Sequence, residues 1–210
     1  MRTLAGLMGL ATLVSALAAC GPRDEADAVG ESPQQPDSRP LTEPRQLPDT
    51  RTLDVHVEGQ VEAREARIFR SPQGYAIYVL PQLEMTQEEP CCDLAFARVD
   101  DGFSMRIERI DEGRDTATLA ADMALALSSV GQAEDADVHG RFPPEARAEV
   151  ELSQRAVGDG VSVAMLVARI DGGRYRVTLH LPHREALEGI APSMWAMLGS
   201  LRTTGERPRP

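Results

Sequence analysis

The chain has 210 residues and a formal net charge of -11, and it contains neither lysine nor asparagine. The missing lysine excludes Schiff-base catalysis and a P-loop, and the missing asparagine excludes an N-linked glycan. Only 4% of the residues are aromatic, which argues against a stacking platform for sugars or single-stranded nucleic acid. Because phosphates repel so acidic a protein, we expect no nucleic-acid partner.

The chain begins with one cation, Arg2, and an uncharged run from Thr3 to Ala16 that leads into Leu17-Ala18-Ala19-Cys20. This stretch resembles a bacterial lipoprotein signal with its lipobox, which implies cleavage after residue 19 and acylation at Cys20 by fatty acids such as palmitate. Several acyl chains hold a protein stably at a bilayer. The alternative that hydropathy leaves open is an uncleaved membrane anchor.

The predicted organisation follows from this signal. Residues 1–19 are the signal peptide, and residues 20–50 are the lipidated cysteine and a disordered tether, because proline and polar residues dominate there and bury little apolar surface. Residues 51–205 form one α/β domain, and residues 206–210 are a C-terminal tail. We expect the domain to face the periplasm or the exterior, held at the cell membrane or outer membrane by the lipid anchor.

Alternating apolar and polar residues predict consecutive antiparallel strands along the domain. The first strand contains Leu53, Val55 and Val57. Hairpins are predicted around the turns at 71–74, 100–102, 158–160 and 171–173, which carry the proline, aspartate and glycine residues typical of turns.

Two amphipathic helices interrupt the strands. Asp115 or Thr116 caps the first helix and Gly131 ends it, and Pro192 begins the second. Their apolar stripes are Leu119, Met123, Leu127 and Val130 in the first, and Met194, Trp195, Leu198 and Leu201 in the second. Such helices need a sheet face to cover, which predicts an α/β (α+β) fold with an antiparallel β-sheet flanked by helices.

Three stretches carry a resemblance to a known family: Glu88-Glu89-Pro90 with Asp93-Leu94, then Met105-Arg106-Ile107-Glu108, then the closing helix from Met194 to Arg202. Together they resemble bacterial lipoproteins with the PsbP-like (DcrB-like) fold, over roughly residues 51–202. The resemblance implies an α-β-α sandwich. It implies no particular activity, because that fold hosts cofactor-assembly, envelope and adaptor roles.

Cys91 and Cys92 are the most unusual chemical feature of the domain. Adjacent cysteines on a regular strand point to opposite faces, so a disulfide between them requires a distorted turn. The alternatives are a vicinal disulfide or redox pair, inert thiols, or thiols that pair with another chain. The nearby carboxylates of Glu88, Glu89 and Asp93 would raise a thiol pKa and so oppose a reactive thiolate.

Five charged residues are the candidate binding residues: Glu88, Glu89, Asp93, Arg106 and Glu108. They would act on a partner or ligand at a sheet edge, or through the loop from Gln82 to Asp93. The alternative is that the acids keep turns and strand edges soluble, while Arg106 and Glu108 form surface ion pairs with neighbouring strands.

The function predicted from these features is a membrane-anchored, extracytoplasmic, non-enzymatic module that binds another envelope protein or a small ligand. We predict no catalytic residue, metal or cofactor, because no recognised catalytic motif is present. The rival prediction is a thiol-redox or metal-dependent enzyme that uses Cys91-Cys92 or the pair His180 and His183. A third possibility is a purely structural envelope protein.

Overall fold

The computed structural model describes residues 46–88 and 91–204, so the predicted signal peptide, most of the tether and the tail lie outside the described residues. The elements in chain order are β1 (Thr50–Val57), β2 (Gln60–Ser71), β3 (Tyr75–Val79), β4 (Leu83–Glu88), β5 (Cys92–Ala97), β6 (Asp100–Arg109), α1 (Thr116–Leu127), β7 (Glu134–Asp135), β8 (Ala148–Gly158), β9 (Val161–Ile170), β10 (Gly173–Pro182), α2 (Leu187–Gly199) and β11 (Arg202–Thr203). A 3-10 turn, His139–Arg141, stands between β7 and β8.

These strands form two antiparallel sheets. The smaller sheet has the strand order β1-β2-β3-β11, and the larger has the order β4-β5-β6-β10-β9-β8-β7. At the centre of the larger sheet, β6 pairs with β10, so that Arg176 lies opposite Glu108. The middle of this sheet is therefore built from segments that are far apart in the chain.

The larger sheet is covered on both faces. We call the side of Met105, Ile107 and Leu166 its inner face and the side of Val163 and Met165 its outer face. Inner-face side chains pack with the smaller sheet and α2 in the main core. Outer-face side chains of β8 and β9 pack against the apolar side of α1 in a second core. Because β9 is covered on both sides, its sequence is apolar almost throughout.

The two helices differ in their surroundings. Helix α1 buries Leu119, Met123 and Leu127, three of the four residues of the predicted stripe, while Val130 lies beyond the end of the helix and packs against the same core. Helix α2 contacts strands of both sheets and is buried continuously from Ser193 to Gly199. No helix within the described residues has the length and apolar character required to cross a bilayer.

The predicted α/β class is confirmed, with antiparallel sheets and a helix on each face of the larger one. The hairpins at 71–74, 158–160 and 171–173 are also present. Asp115 caps α1 as predicted, because its side chain accepts a hydrogen bond from the Thr118 N–H.

The structure differs from the sequence prediction in several elements. The second hairpin turns at Arg98-Val99, so Asp100-Asp101-Gly102 belongs to β6 rather than to the turn. Half of the segment predicted as a loop from Gln82 to Asp93 is strand β4, which pairs with β5, and the last two residues of the segment begin β5.

The helix ends also differ. Helix α1 ends at Leu127, before Gly131, and α2 begins at Leu187, which places Pro192 inside the helix instead of at its start.

Candidate functional site

A groove of about 420 Å³ lies on the outer face of the larger sheet, beside the C-terminal end of α1. Helix α1 covers β8 and β9 but leaves the outer side of β5, β6 and β10 open. The groove has an apolar wall and a polar floor. The wall is formed by Leu94, Ala126, Leu127, Val130, Val163 and Met165, and the floor by Glu88, Ser104, Arg106, Glu108, Arg176, Thr178 and His180.

The polar floor follows from the alternation of side chains along two strands. In β6, Met105 and Ile107 are buried in the core, so the intervening Arg106 lies on the outer face. In β10, Val177 and Leu179 are buried in the same core, and the residues between and beside them point into the groove. The pairing of β6 with β10 then brings the two polar rows side by side.

Two ion pairs cross the floor of the groove. Arg106 Nε lies 2.9 Å from Glu88 Oε2, which links β6 to β4. Arg176 Nη2 lies 2.5 Å from Glu108 Oε2, which links β10 to β6. The Arg106–Glu88 pair is exposed enough to contribute only about 0–1 kcal/mol to stability, whereas the Arg176–Glu108 pair is more buried. The floor therefore presents adjacent positive and negative groups, of which the Arg106–Glu88 pair costs little to rearrange.

The two predicted histidines do not converge. His180 lines the groove opposite Ser104, and desolvation of its ring lowers the pKa of His180 below its ordinary value. His183 instead places its Nε2 atom 2.7 Å from Ser162 Oγ on the neighbouring strand. The described residues contain no cluster of three or more His, Cys, Asp and Glu side chains arranged to hold a metal ion.

Cys91 and Cys92 are joined by a disulfide bond at the start of β5. Cys91 is not part of the regular strand: it lies in a turn in which its N–H donates to the Glu88 carbonyl over 3.2 Å. Cys92 pairs with Glu88 on one side and with Glu108 on the other, and it shares their outer face. The disulfide therefore lies at the β4–β5 end of the groove.

Arg106 connects this disulfide to the floor of the groove. Its Nη2 atom is 4.0 Å from Cys91 Sγ, while its Nε atom holds Glu88. The guanidinium therefore contacts both the sulfur of the exposed Cys91 and the carboxylate of Glu88.

Asp93 lies on the opposite side of the sheet from the groove. It has no exposed surface, and its Oδ2 atom accepts hydrogen bonds from Ser71 Oγ at 2.5 Å, Gln73 Nε2 at 2.6 Å and the Tyr75 hydroxyl at 2.5 Å. Burial, followed by the negative charge of Asp93, raises the pKa of Tyr75 above its ordinary range. This cluster joins the β2–β3 hairpin to β5 and is a structural element of the core.

The five candidate binding residues are therefore divided. Glu88, Arg106 and Glu108 line the groove, Asp93 faces the core, and Glu89 lies outside the described residues. Arg176 and Thr178 were missed as site residues. Their alternation with Val177 and Leu179 is a usable signal, but only the pairing of β10 with β6 shows that they join Arg106 and Glu108.

A second hollow, of about 550 Å³, lies between β2, β3 and the edge strand β4. It is lined mainly by apolar side chains at the seam of the two sheets, including Ile68, Phe69 and Leu83. Its charged residues lie at the rim, where Arg98 pairs with Glu84. The outer-face groove brings more polar groups together, and we take it as the candidate site.

The fold and groove define an α/β domain with a charged, partly apolar groove and a vicinal disulfide at one end. Residues 47–202 match the family described as "Domain of unknown function (DUF8580)", and the chain belongs to that family. No curated protein sequence matches it.

Among solved structures, the chain is similar to the cyanobacterial PsbP (CyanoP) from Synechocystis sp. PCC 6803. The match has 10% identity and a TM-score of 0.34, and it covers 65% of this chain and 91% of that chain. A likeness at this level carries no conclusion about function.

Proposed function

We propose that this chain is a membrane-anchored, extracytoplasmic lipoprotein whose domain binds a small ligand in the outer-face groove and catalyses no reaction on it. The lipobox-like Leu17-Ala18-Ala19-Cys20 supports the anchor. The observation that supports the binding function is the groove floor, where two ion pairs lie next to an apolar wall.

The chemistry of the floor indicates the class of ligand. Arg176 and Glu108 offer opposite charges 2.5 Å apart, and a ligand with both a cationic and an anionic group can replace each partner of such a pair. The wall formed by Leu94, Val163 and Met165 suits an apolar portion of the same molecule. We therefore propose a small zwitterion with an apolar side chain, such as a short apolar peptide.

The arrangement of polar groups supports binding rather than catalysis. Among the described residues that line the groove, no hydroxyl or thiol is hydrogen-bonded to a histidine or a carboxylate, so no nucleophile is paired with a base there. The Ser162–His183 contact lies outside the set of groove-lining residues and is exposed to solvent.

The test is a titration monitored by the backbone amide NMR signals of β6 and β10. The zwitterionic dipeptide leucyl-leucine is the probe, and leucinamide and N-acetyl-leucine, which carry one charge each, are the matched compounds. We expect the dipeptide to shift groove signals at lower concentrations than either compound.

Two variants locate the binding. Arg176→Gln removes a cation from the groove floor and should weaken dipeptide binding. Arg155→Gln, on β8, removes a cation from an exposed ion pair with Glu134 and should not. Equal responses to the three compounds, or equal effects of the two substitutions, would overturn the proposal.

A further inference from the structure

The two sulfurs of the Cys91–Cys92 disulfide have different surroundings. Cys91 is exposed in the turn before β5, whereas Cys92 is 5% exposed and belongs to the strand. An attacking thiolate must approach the sulfur that it displaces, so access decides which one reacts. Because Cys91 is the exposed residue of the pair, we take its Sγ as the target.

A cation beside the sulfur of Cys91 favours a thiolate there. Arg106 Nη2 lies 4.0 Å from Cys91 Sγ, and a neighbouring guanidinium stabilises a thiolate relative to a thiol. Of the acids that oppose this effect, Asp93 lies on the inner face with three hydrogen-bond donors. Glu88 stays close to Cys91, but its carboxylate is paired with Arg106.

We propose that Cys91–Cys92 is an exchangeable disulfide that a dithiol reduces by attack at Cys91, with Arg106 as a positioning residue that stabilises the Cys91 thiolate. A dithiol carried by a partner protein or a small molecule supplies the electrons. This activity goes beyond ligand binding in the groove and does not depend on it.

The thiol–disulfide exchange takes place in two steps. One thiolate of the dithiol attacks Cys91 Sγ, the Cys91–Cys92 bond breaks, and Cys92 leaves as a thiolate that takes up a proton. The second thiol of the dithiol, after losing its proton, attacks the mixed disulfide and releases Cys91 as a thiolate beside Arg106. Two electrons pass to the protein, which gains two thiols on protonation, and the dithiol becomes a disulfide.

Reduction changes the end of the groove. Once the bond is broken, the two adjacent side chains are free to point to opposite faces, as on a regular strand. Cys91 Sγ then no longer has to stay beside Arg106, whose other contact is Glu88 in the groove. The oxidation state of the Cys91–Cys92 pair thus affects the position of Arg106 in the groove.

The first experiment measures the acidity of the Cys91 thiol in the full chain carrying Cys92→Ser. The rate of alkylation by iodoacetamide is followed against pH, with the site of alkylation located by mass spectrometry. We expect Cys91 to titrate below the value of about 8.5 for a free cysteine. Adding Arg106→Gln should raise its pKa towards that value, while adding Arg98→Gln should leave it unchanged. Arg98 is a suitable control because it is an exposed cation that pairs with Glu84. Glu84 lies on β4, the strand that also contains Glu88, the partner of Arg106.

The second experiment uses the intact disulfide and dithiothreitol as the dithiol. Arg106→Gln should slow reduction about three- to tenfold, because the anionic thiolate that attacks Cys91 Sγ loses the cation beside its target, and Arg98→Gln should not. Circular dichroism establishes that each variant is folded. The proposal is overturned if both substitutions have the same effect, or if Cys91 and Cys92 are alkylated in the untreated wild-type protein.

Discussion

Asp93 shows how the setting of one residue decides its role. Its sequence position beside Cys92 and near Glu88 places it with the candidate binding residues. Alternation along β5 turns its side chain towards the core, where three donors converge on one carboxylate oxygen. A buried carboxylate requires such donors to offset the loss of water, so the cluster has a structural reason for its composition.

Asp93→Ala should destabilise the fold by about 3 kcal/mol or more, because it leaves the buried donors of Ser71, Gln73 and Tyr75 without their acceptor. Urea denaturation at neutral pH measures the effect. Asp101→Ala, at an exposed position of β6, is the control and should change stability by no more than about 0.5 kcal/mol. Equal stabilities for the two variants would show that the cluster does not support the core.

At the scale of elements, α1 depends on its N-cap residue, Asp115, for a defined start. Asp115 Oδ2 accepts from the Thr118 N–H at 2.8 Å and from Thr118 Oγ1 at 3.0 Å. The Thr118 N–H, followed by the Thr118 hydroxyl, lowers the pKa of Asp115 below its ordinary value of 3.8. The ionised form is therefore the one that caps the helix.

Asp115→Ala should lower the melting temperature at neutral pH because the N-terminal N–H groups of α1 lose their acceptor. A carboxyl group with a lowered pKa stabilises the fold above its unfolded pKa, and this contribution is lost as the pH falls through the folded pKa. The difference between wild type and variant should thus shrink in acid.

Thermal unfolding at several pH values measures this change. Asp115→Asn retains a hydrogen-bond acceptor but has no titratable group at residue 115. The difference in melting temperature between Asp115→Asn and Asp115→Ala should therefore be the same at every pH. A difference between wild type and Asp115→Ala that stays constant into strong acid would contradict the assignment.

Helix α2 contains a proline, Pro192, as its sixth residue. At Pro192 the helix lacks an N–H to donate to the preceding turn, and the ring crowds the carbonyl four residues earlier. The helix persists because its following residues, Ser193 to Gly199, are buried between the two sheets. Packing here outweighs the local preference of the chain.

Pro192→Ala should raise stability by about 1–3 kcal/mol, because it restores a hydrogen bond within α2 and removes the ring contact. Pro81→Ala, in the exposed turn before β4, is the matched control. It should be neutral or destabilising by up to about 1 kcal/mol, since that proline restricts the unfolded chain. Urea denaturation compares the two, and a loss of stability in Pro192→Ala would mean that the ring itself fills space in the core.

At the scale of the whole molecule, the proposed attachment depends on Cys20. Cys20→Ala should move the protein expressed in its bacterial host from the detergent-rich to the aqueous phase on phase separation, because the acyl chains have no other attachment point in the lipobox. Cys91→Ala removes a different cysteine and should leave the partitioning unchanged. Detergent-phase recovery of the Cys20→Ala protein would exclude lipid anchoring at this residue.

Local patterns were sufficient to predict much of this fold. The strands of the hairpins at 71–74, 158–160 and 171–173 alternate in polarity, and α1 has both a cap and an apolar stripe. Strand β4 was missed even though Leu83 and Met85 alternate with polar residues, because its acidic end was interpreted as a binding loop. β7 and β11 have two residues each, too few to show a period.

The candidate site was predictable only in part, because it is assembled across distant strands. Arg106, Glu108 and Glu88 could be named from local sequence, but their partner Arg176 belongs to β10, and no local pattern places β10 beside β6. Alternation alone distinguishes Asp93 from Leu94, which points into the groove. The register between strands, rather than the identity of the residues, was the missing information.

The shape of strand β8 affects whether copies of this chain can associate edge to edge. It has eleven residues, yet β7 pairs only with Arg155 and Gln154, near its C-terminal end. Elsewhere its register shifts between Val150 and Leu152, and the extra residue, Glu151, turns to bind the buried Arg174 over 2.7 Å. Such a bulge bends the edge of a sheet and disfavours the pairing of another strand with it. Even at high local density, this border should resist polymerisation of one molecule onto the next.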